Sequence, residues 1–205
     1  GLVVAADTAA EVRSITDRVM AVIGKALTVQ LPAGSLPAAD ALARVVPAIR
    51  MALSDGPVPK VAAVRNSPLV QHFLRAEHRK GVELPFSPDN IVYCKSAPLF
   101  LGAGGPEGAG AAGSAGADPE ALLAELPGRL DAYRKKWGYL PKVILADGVG
   151  LVGVEDSKRS VETVLDVFED LMKVSFLSAS FGGPRFLSPK HIAFIRKAFA
   201  NARFY

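Results

Sequence analysis

The sequence predicts an α/β layered domain, and three observations carry that reading. Between Ala38 and His78 an apolar helical segment, a short β-branched run and a second helical segment follow one another, which is the alternation of layered α/β architecture. Lys142 to Met172 reads as a buried strand (Val143 to Leu145), a glycine-rich turn, a second strand (Gly150 to Val154) and a helix. Half of the 205 residues are apolar and 21% are charged, a globular balance long enough to bury a full core.

The elements follow in chain order. Gly1 to Val4 reads as the tail of a strand, and Thr8-Ala-Ala-Glu11 is a capping box for a helix to about Leu27. Gln30 to Leu36, with two prolines and a glycine, is a linker. Ala38 to Leu53 predicts a helix bent or interrupted at Pro47, since proline lacks the N–H and clashes with the preceding turn. Lys60 to Val64 reads as a strand, and a helix starting at Asn66 or Ser67 runs through about His78. Ile91 to Cys94 and Leu99 to Leu101 read as strands around the Lys95 to Pro98 turn. Gly102 to Ala117 is a flexible Gly/Ala insertion. Asp118-Pro119 opens a helix over Glu120 to Trp137. After the central strands, Ser157 is the N-cap of a helix to about Leu177, with Val161, Val164, Leu165, Phe168, Leu171 and Met172 at helical spacing. Ser178 to Arg185 is an irregular loop, and Ser188-Pro189 starts a last helix whose apolar face is Ile192, Ile195 and Phe199.

One register connects the two ends. Gly1 to Ile23 aligns without gaps on Gly150 to Met172, and Gly-Leu-Val, the Asp-Thr or Asp-Ser cap and the apolar helix positions coincide. The match predicts an internal duplication, with residues 1–30 a strand–helix remnant of a preceding copy and 31–205 a second domain. The chain then reads as the C-terminal piece of a larger protein. The first helix should dock through Ile15, Val19, Val22 and Ile23, since each such side chain left in water forfeits about 1.5–3 kcal/mol.

Few residues point to chemistry. Gln71, His72, Arg75, His78, Arg79 and Lys80 form a polar, basic set. His72 and His78 are six positions apart, about 240° around a helix, so they do not face one metal. Arg75 and Arg79 share a helix face and are candidates to hold an anion, against the favoured reading of a solvated face. Asp89 and Asn90 are either a polar site at a strand entrance or an Asx-type turn after Pro88, the turn being favoured. Cys94, the single cysteine, reads as a small core residue, because no His–Asp/Asn arrangement accompanies it. Gly108-Ala-Gly110-Ala-Ala-Gly113 formally matches the dinucleotide fingerprint, but no helix begins at its last glycine. A nucleotide-dependent oxidoreductase would rest on that tract alone.

The strand, turn, Gly-Leu-Val and Asp-Ser/Thr-capped helix resemble the end of the class II aldolase and adducin head domain. Ser87 to Leu101 (SPDNIVYCKSAPLFL) resembles the Thr-Pro-Asp-His segment of its long, two-part members, with Asn90 in place of the His, and FGGPRFLSPKHIAFI resembles their closing segment. The resemblance implies a three-layer α/β/α sandwich with a mixed or mostly antiparallel central sheet. It also implies, for the parent protein, metal-dependent retro-aldol cleavage of a sugar or sugar phosphate. The family's third metal ligand is the His of Asn-His-Gly-Leu, and Val149 occupies that position here; no His-x-His pair occurs in the chain. No cofactor is therefore expected in this chain. A divalent metal such as zinc is expected only in the part that precedes Gly1.

The resemblance implies as partners the N-terminal aldolase-like domain of the same protein and further copies in a homo-oligomer. The runner-up is a non-catalytic interaction module in the manner of the adducin head. The net charge of +4 is modest, and its cations are scattered among acids rather than striped with aromatics, so nucleic acid is not an expected partner. No apolar run approaches the ~20 residues of a bilayer span, so no membrane is expected either. One cysteine and no disulfide framework suit a reducing cytoplasm.

Overall fold

The computed structural model describes residues 2–37, 40–102 and 118–199. The Gly/Ala tract from residue 103 to 117, Gly1, residues 38–39 and the last six residues lie outside them, and with them the expectations placed on the insertion and its fingerprint. Among the described residues seven α-helices and four strands follow in the order α1 (Ala9–Ala26), α2 (Leu42–Leu53), β1 (Val61–Arg65), α3 (Pro68–Leu74), α4 (Pro88–Cys94), β2 (Leu99–Leu101), α5 (Pro119–Trp137), β3 (Val143–Ala146), β4 (Gly150–Glu155), α6 (Lys158–Ser178) and α7 (Pro189–Phe199). Short 3₁₀ segments cover Ala76–Val82 and Ala179–Phe181.

The strands form one mixed sheet in the order β1-β4-β3-β2, an α/β fold as the sequence predicts. β4 is antiparallel to both β1 and β3, and β2 runs parallel to β3 through the α5 crossover. β3 and β4 are buried along their whole length. Ile144, Ala146, Val152 and Val154 join Leu99 and Leu101 in one apolar cluster with Val45, Ile49 and Leu53 of α2 and Leu122, Leu126 and Leu130 of α5. The alternate residues Val143, Leu145 and Leu151 join a second cluster with α3, Cys94 and Val164, Leu165, Phe168, Leu171 and Met172 of α6. Strand side chains alternate between faces, so the two clusters lie on opposite sides of the sheet.

Helix α6 is as the periodicity predicts, with Ser157 accepting from the Ser160 N–H and all six named apolar residues buried. It reaches the sheet closely because Gly153 has no side chain; a Cβ there would stand 3.0 Å from Leu165. At the sheet's edge the Arg65 guanidinium meets Glu162, Asp166 and Glu169 of α6 at 2.8, 2.7 and 2.6 Å. Burial alone would lower its pKa, but the three carboxylates outweigh that and hold it above the usual arginine value.

Several expectations meet a different structure. Ile91 to Cys94 is helix α4, not a strand: Ser87 accepts from the Asn90 N–H and the Asn90 side chain reaches back, closing a capping box that overrides the β-branched run. The helix expected through His78 stops at Leu74, and Arg75 takes an extended conformation before the 3₁₀ segment. Of the bend or interruption expected at Pro47, the interruption is not made: α2 runs through Pro47 as one helix, its Val45, Ile49 and Leu53 buried. Leu2 to Val4 forms no strand, and α1 behind its Thr8–Glu11 capping box buries no residue. The docking expected of it is therefore not made: Ile15 and Val19 are partly covered, and Val22 and Ile23 are exposed. Helix α7 forms as expected, and of its apolar face Ile192 is buried, Ile195 is partly covered and Phe199 is exposed.

Gly150 and Gly128 give a paired test of this packing. Gly150 has φ +124, and a Cβ would lie 2.7 Å from the Arg65 carbonyl oxygen, whereas nothing lies within 4 Å of a Cβ on Gly128 in α5. Gly150→Ala should lower the stability read from urea unfolding by about 2 kcal/mol or more, and Gly128→Ala should raise it by about 0.5–1 kcal/mol. Equal effects at the two positions would contradict the close β1–β4 approach.

Candidate functional site

The four site residues named from sequence do not converge. Arg75 is exposed at the break between α3 and the 3₁₀ segment, while Arg79 is buried. The expectation that they share an anion-holding face fails because the helix that would align them is broken, and the solvated-face reading fails at Arg79. Asp89 is exposed in the first turn of α4. Asn90 is buried, and its Oδ1 accepts from the Phe86 and Ser87 N–H groups at 3.3 and 3.1 Å. These bonds make Asn90 the third-residue partner of the Ser87 cap in the capping box of α4, where a strand entrance or an Asx-type turn was expected.

Arg79 leads to a constellation the sequence reading missed. Its Nε and Nη2 donate to the Leu74 carbonyl at 3.1 and 2.9 Å, its Nη2 lies 3.4 Å from Asp147 Oδ1, and its guanidinium carbon stands 5.1 Å from the centre of the Phe100 ring. Asp147 follows the last residue of β3, and its N–H donates to the Leu101 carbonyl at 2.9 Å. Gly102, next to it at the end of β2, donates its N–H to Glu125 of α5. A Cβ on Gly102 would meet the Asp147 side chain at 2.6 Å. Arg79, Asp147 and Glu125 thus gather where the parallel strands β2 and β3 end, the place where open α/β sheets bind ligands. Burial pushes the Asp147 carboxyl above its ordinary value, opposed by Arg79 and reinforced by Glu125. A carboxyl so placed can exchange a proton with a hydroxyl group, and the guanidinium beside it fixes the side chain's orientation.

The opposite end of the sheet is cationic. Lys60 precedes β1, Lys95 precedes β2 and Lys142 precedes β3, while Glu155 ends β4 and pairs with Lys142. Lys95 caps α4 with φ +66, the described non-glycine residue with positive φ, and its ammonium stands 5.0 Å from the Tyr139 ring. The Arg196 guanidinium of α7 stands 5.0 Å from the same ring. Burial lowers the Lys95 pKa to about 8; repulsion from Lys142, Arg196 and Lys60 adds to the effect and Glu155 opposes it. Ser96, next in the chain, gives its N–H to the Tyr139 hydroxyl at 3.2 Å. Its own hydroxyl is buried with no hydrogen-bond partner among the described residues. It borders a cavity of about 10 Å³ that also touches Asn90, Cys94 and Phe168, room for about one water. The Cys94 thiol is buried, as expected, and burial raises its pKa.

The break at Arg75 has a second result. It folds the 3₁₀ segment back so that His72 and His78 stack with ring centres 3.8 Å apart and planes within 10°. The 240° separation argued from a continuous helix does not apply. His72 also meets the edges of Phe73 and Phe176, each at 4.9 Å. Among the described residues no group of three or more His, Cys, Asp or Glu side chains is arranged to hold a metal ion. The only faint signals for the missed residues are positional, since Lys142 and Asp147 bound an otherwise apolar run.

No family model, no curated protein and no solved structure matches this chain.

The His72 environment fixes a pH dependence. Burial lowers its pKa below the usual imidazole value, and His78 and Arg75 add to this against Glu77. The folded state therefore binds this proton less readily than the unfolded chain. Its contribution to stability is present above about pH 6.5 and is lost as pH falls through that value toward the folded pKa. The melting temperature should drop between pH 7.5 and pH 5.5, and His72→Phe, which keeps a ring in the stack, should reduce that drop. An unchanged drop in the variant would remove His72 from the account.

Proposed function

We propose that the chain is the C-terminal, metal-free domain of a class II aldolase-like protein acting on a sugar or sugar phosphate, with a structural or supporting role beside the catalytic part. The observation that carries this reading is the place of Val149. At the position where the resemblance puts a metal-ligating His, this chain has a fully buried valine packed into the cluster with α2 and α5. The residues present do not fit the divalent metal that the family uses: the position is apolar and sealed, and the stacked His72 and His78 lie on the other side of the sheet's core. The two apolar clusters support the finer fold reading, a three-layer α/β/α sandwich of the aldolase kind, with the mixed sheet as its middle layer. The parent protein's retro-aldol chemistry, its zinc-like metal and its oligomeric assembly belong to the same reading.

A second reading has its own observation. Helix α1 buries none of its residues and exposes Met20, Val22 and Ile23, which favours an adducin-head-like interaction or oligomerisation module.

Protein purified without chelator should carry well under one equivalent of zinc by mass spectrometry, and excess EDTA should move its melting temperature by no more than about 1 °C. Val149→His should destabilise the fold by about 2–4 kcal/mol, the cost of a polar ring in a sealed apolar site, without gaining zinc. Stoichiometric zinc in the unsubstituted protein would overturn the metal-free reading.

A further inference from the structure

Helix α1 carries a seam with no counterpart among the described residues. Val12, Ile15, Val19, Val22 and Ala26 alternate at spacings of three and four, the a/d pattern of a helix that packs along a second helix. Ile23 and Met20 widen the stripe on one side. Both apolar clusters of the body close without any α1 residue. The helix is nonetheless held at its base: the Thr28 N–H donates to Ser180 Oγ at 2.9 Å, and further along the linker Leu36 and Pro37 bond to Asn66 at 3.2 and 3.3 Å. Eighteen residues of amphipathic helix that bury no side chain are marginal in water, so the seam calls for a partner surface.

Charge decides which partner fits. Glu11 and Lys25 flank the seam on the same side, two heptads apart at opposite ends of the helix. A second copy of α1 laid antiparallel on the first sets Glu11 of each against Lys25 of the other, twice over by symmetry. The same arrangement stacks Val12 on Val22 and Ile15 on Val19 across the dyad and opposes the two helix dipoles. A parallel pairing gives these charges no opposite number, since it sets Glu11 near Thr16 and Lys25 beyond the helix end. Arg18 shares the flank and falls near the dyad, where it meets its own copy. That repulsion weakens the pair. The polar side of α1, around Arg13, Asp17 and Arg18, forms a shallow groove walled by this helix alone and has no opposing wall to hold a ligand.

We infer that two copies of this chain associate through an antiparallel pairing of their α1 helices along the Val12–Ala26 seam. The inference rests on the interaction-module reading and gives it a surface and a partner.

The full chain should run as a concentration-dependent dimer in sedimentation velocity. Val19→Asp should make it a monomer while leaving the melting temperature unchanged, because α1 lies outside the core. Lys25→Glu, which leaves the Thr8–Glu11 capping box intact, should weaken dimerisation about ten-fold through two lost pairs, and adding Glu11→Lys should restore most of it. Arg18→Gln should tighten it. The native thiol, Cys94, is buried, so introduced cysteines report on the seam. Mixed Glu11→Cys and Lys25→Cys proteins should form a disulfide-linked heterodimer on mild oxidation, and neither variant should link to itself. A dimer that survives Val19→Asp, or self-linking of Glu11→Cys, overturns this pairing and leaves the interaction-module reading standing. A chain that stays monomeric at 100 times the concentration of a typical micromolar dimer, roughly −8 kcal/mol of association, overturns the inference, and if it also recruits no other partner through α1 the module reading falls too.

Discussion

The hairpin of β3 and β4 has no solvent face, and the rest of the fold answers to that. Its ten residues are buried on both sides, so every backbone polar group must be satisfied within the sheet and each side of the hairpin needs an apolar cover. The sheet supplies the bonds through β1 and β2 at its edges. The covers come from α2 and α5 on one side and from α3, α4 and α6 on the other. A hairpin this apolar also confines charge to its ends, where Lys142 meets Glu155, the last residue of β4, at one end and Asp147 sits at the other. The edge strand β1 is fastened by Arg65, whose one guanidinium meets three carboxylates of α6.

The polar groups at the two rims are thus consequences of the core as much as candidates for chemistry. A largely buried ion pair such as Arg79 with Asp147 adds little net stability, because desolvation consumes most of the attraction. Removing one partner is worse than removing both, since the other is left uncompensated. That asymmetry explains why such a pair persists once formed, with or without a ligand. What distinguishes the Asp147 rim is its position at the ends of parallel strands, together with a carboxyl held above its ordinary range. The Lys95 rim is distinguished differently, by a positive φ at a lysine, a conformation that side chains with a Cβ adopt only when their surroundings enforce it.

The strands β1 to β4 and the helices α5, α6 and α7 were legible in the sequence because their periodicity and caps agree. Ser157 and the six apolar residues after it point to one face, and that face is buried. Where local signals conflict, reading by composition fails. Ile91, Val92 and Tyr93 are strand formers, yet Ser87, Pro88 and Asn90 assemble a helix start of seven residues, and the cap prevails. The break at Arg75 left no mark at all: Phe73 to Glu77 contains neither glycine nor proline. The folded-back segment packs tightly, for Gly81 lies close to both Phe73 and Ser175 of α6, whose hydroxyl donates to the Gly81 carbonyl at 2.6 Å. The candidate site was illegible for the same reason. Arg79, Asp147 and Glu125 are brought together by tertiary contacts across 68 and 23 residues of sequence, as the Arg79–Asp147 and Gly102–Glu125 bonds show.

The two aligned segments show how far a pattern can reach. Val12, Ile15, Val19, Val22 and Ile23 of α1 stand at the register of Val161, Val164, Phe168, Leu171 and Met172 of α6, and both helices open at a Thr or Ser cap. In α6 every one of these residues is buried; in α1 none is. The strand before α6 carries Leu151 into the core beneath the helix, whereas Leu2, its counterpart, is 63% exposed and belongs to no strand. Amphipathic spacing therefore specifies that a face will be covered without specifying what covers it. In α6 the cover is the sheet that precedes it in the chain. For α1 no described sheet plays that part, so the same free energy of burial is left to be gained from another surface, and the charges flanking the seam are what select that surface.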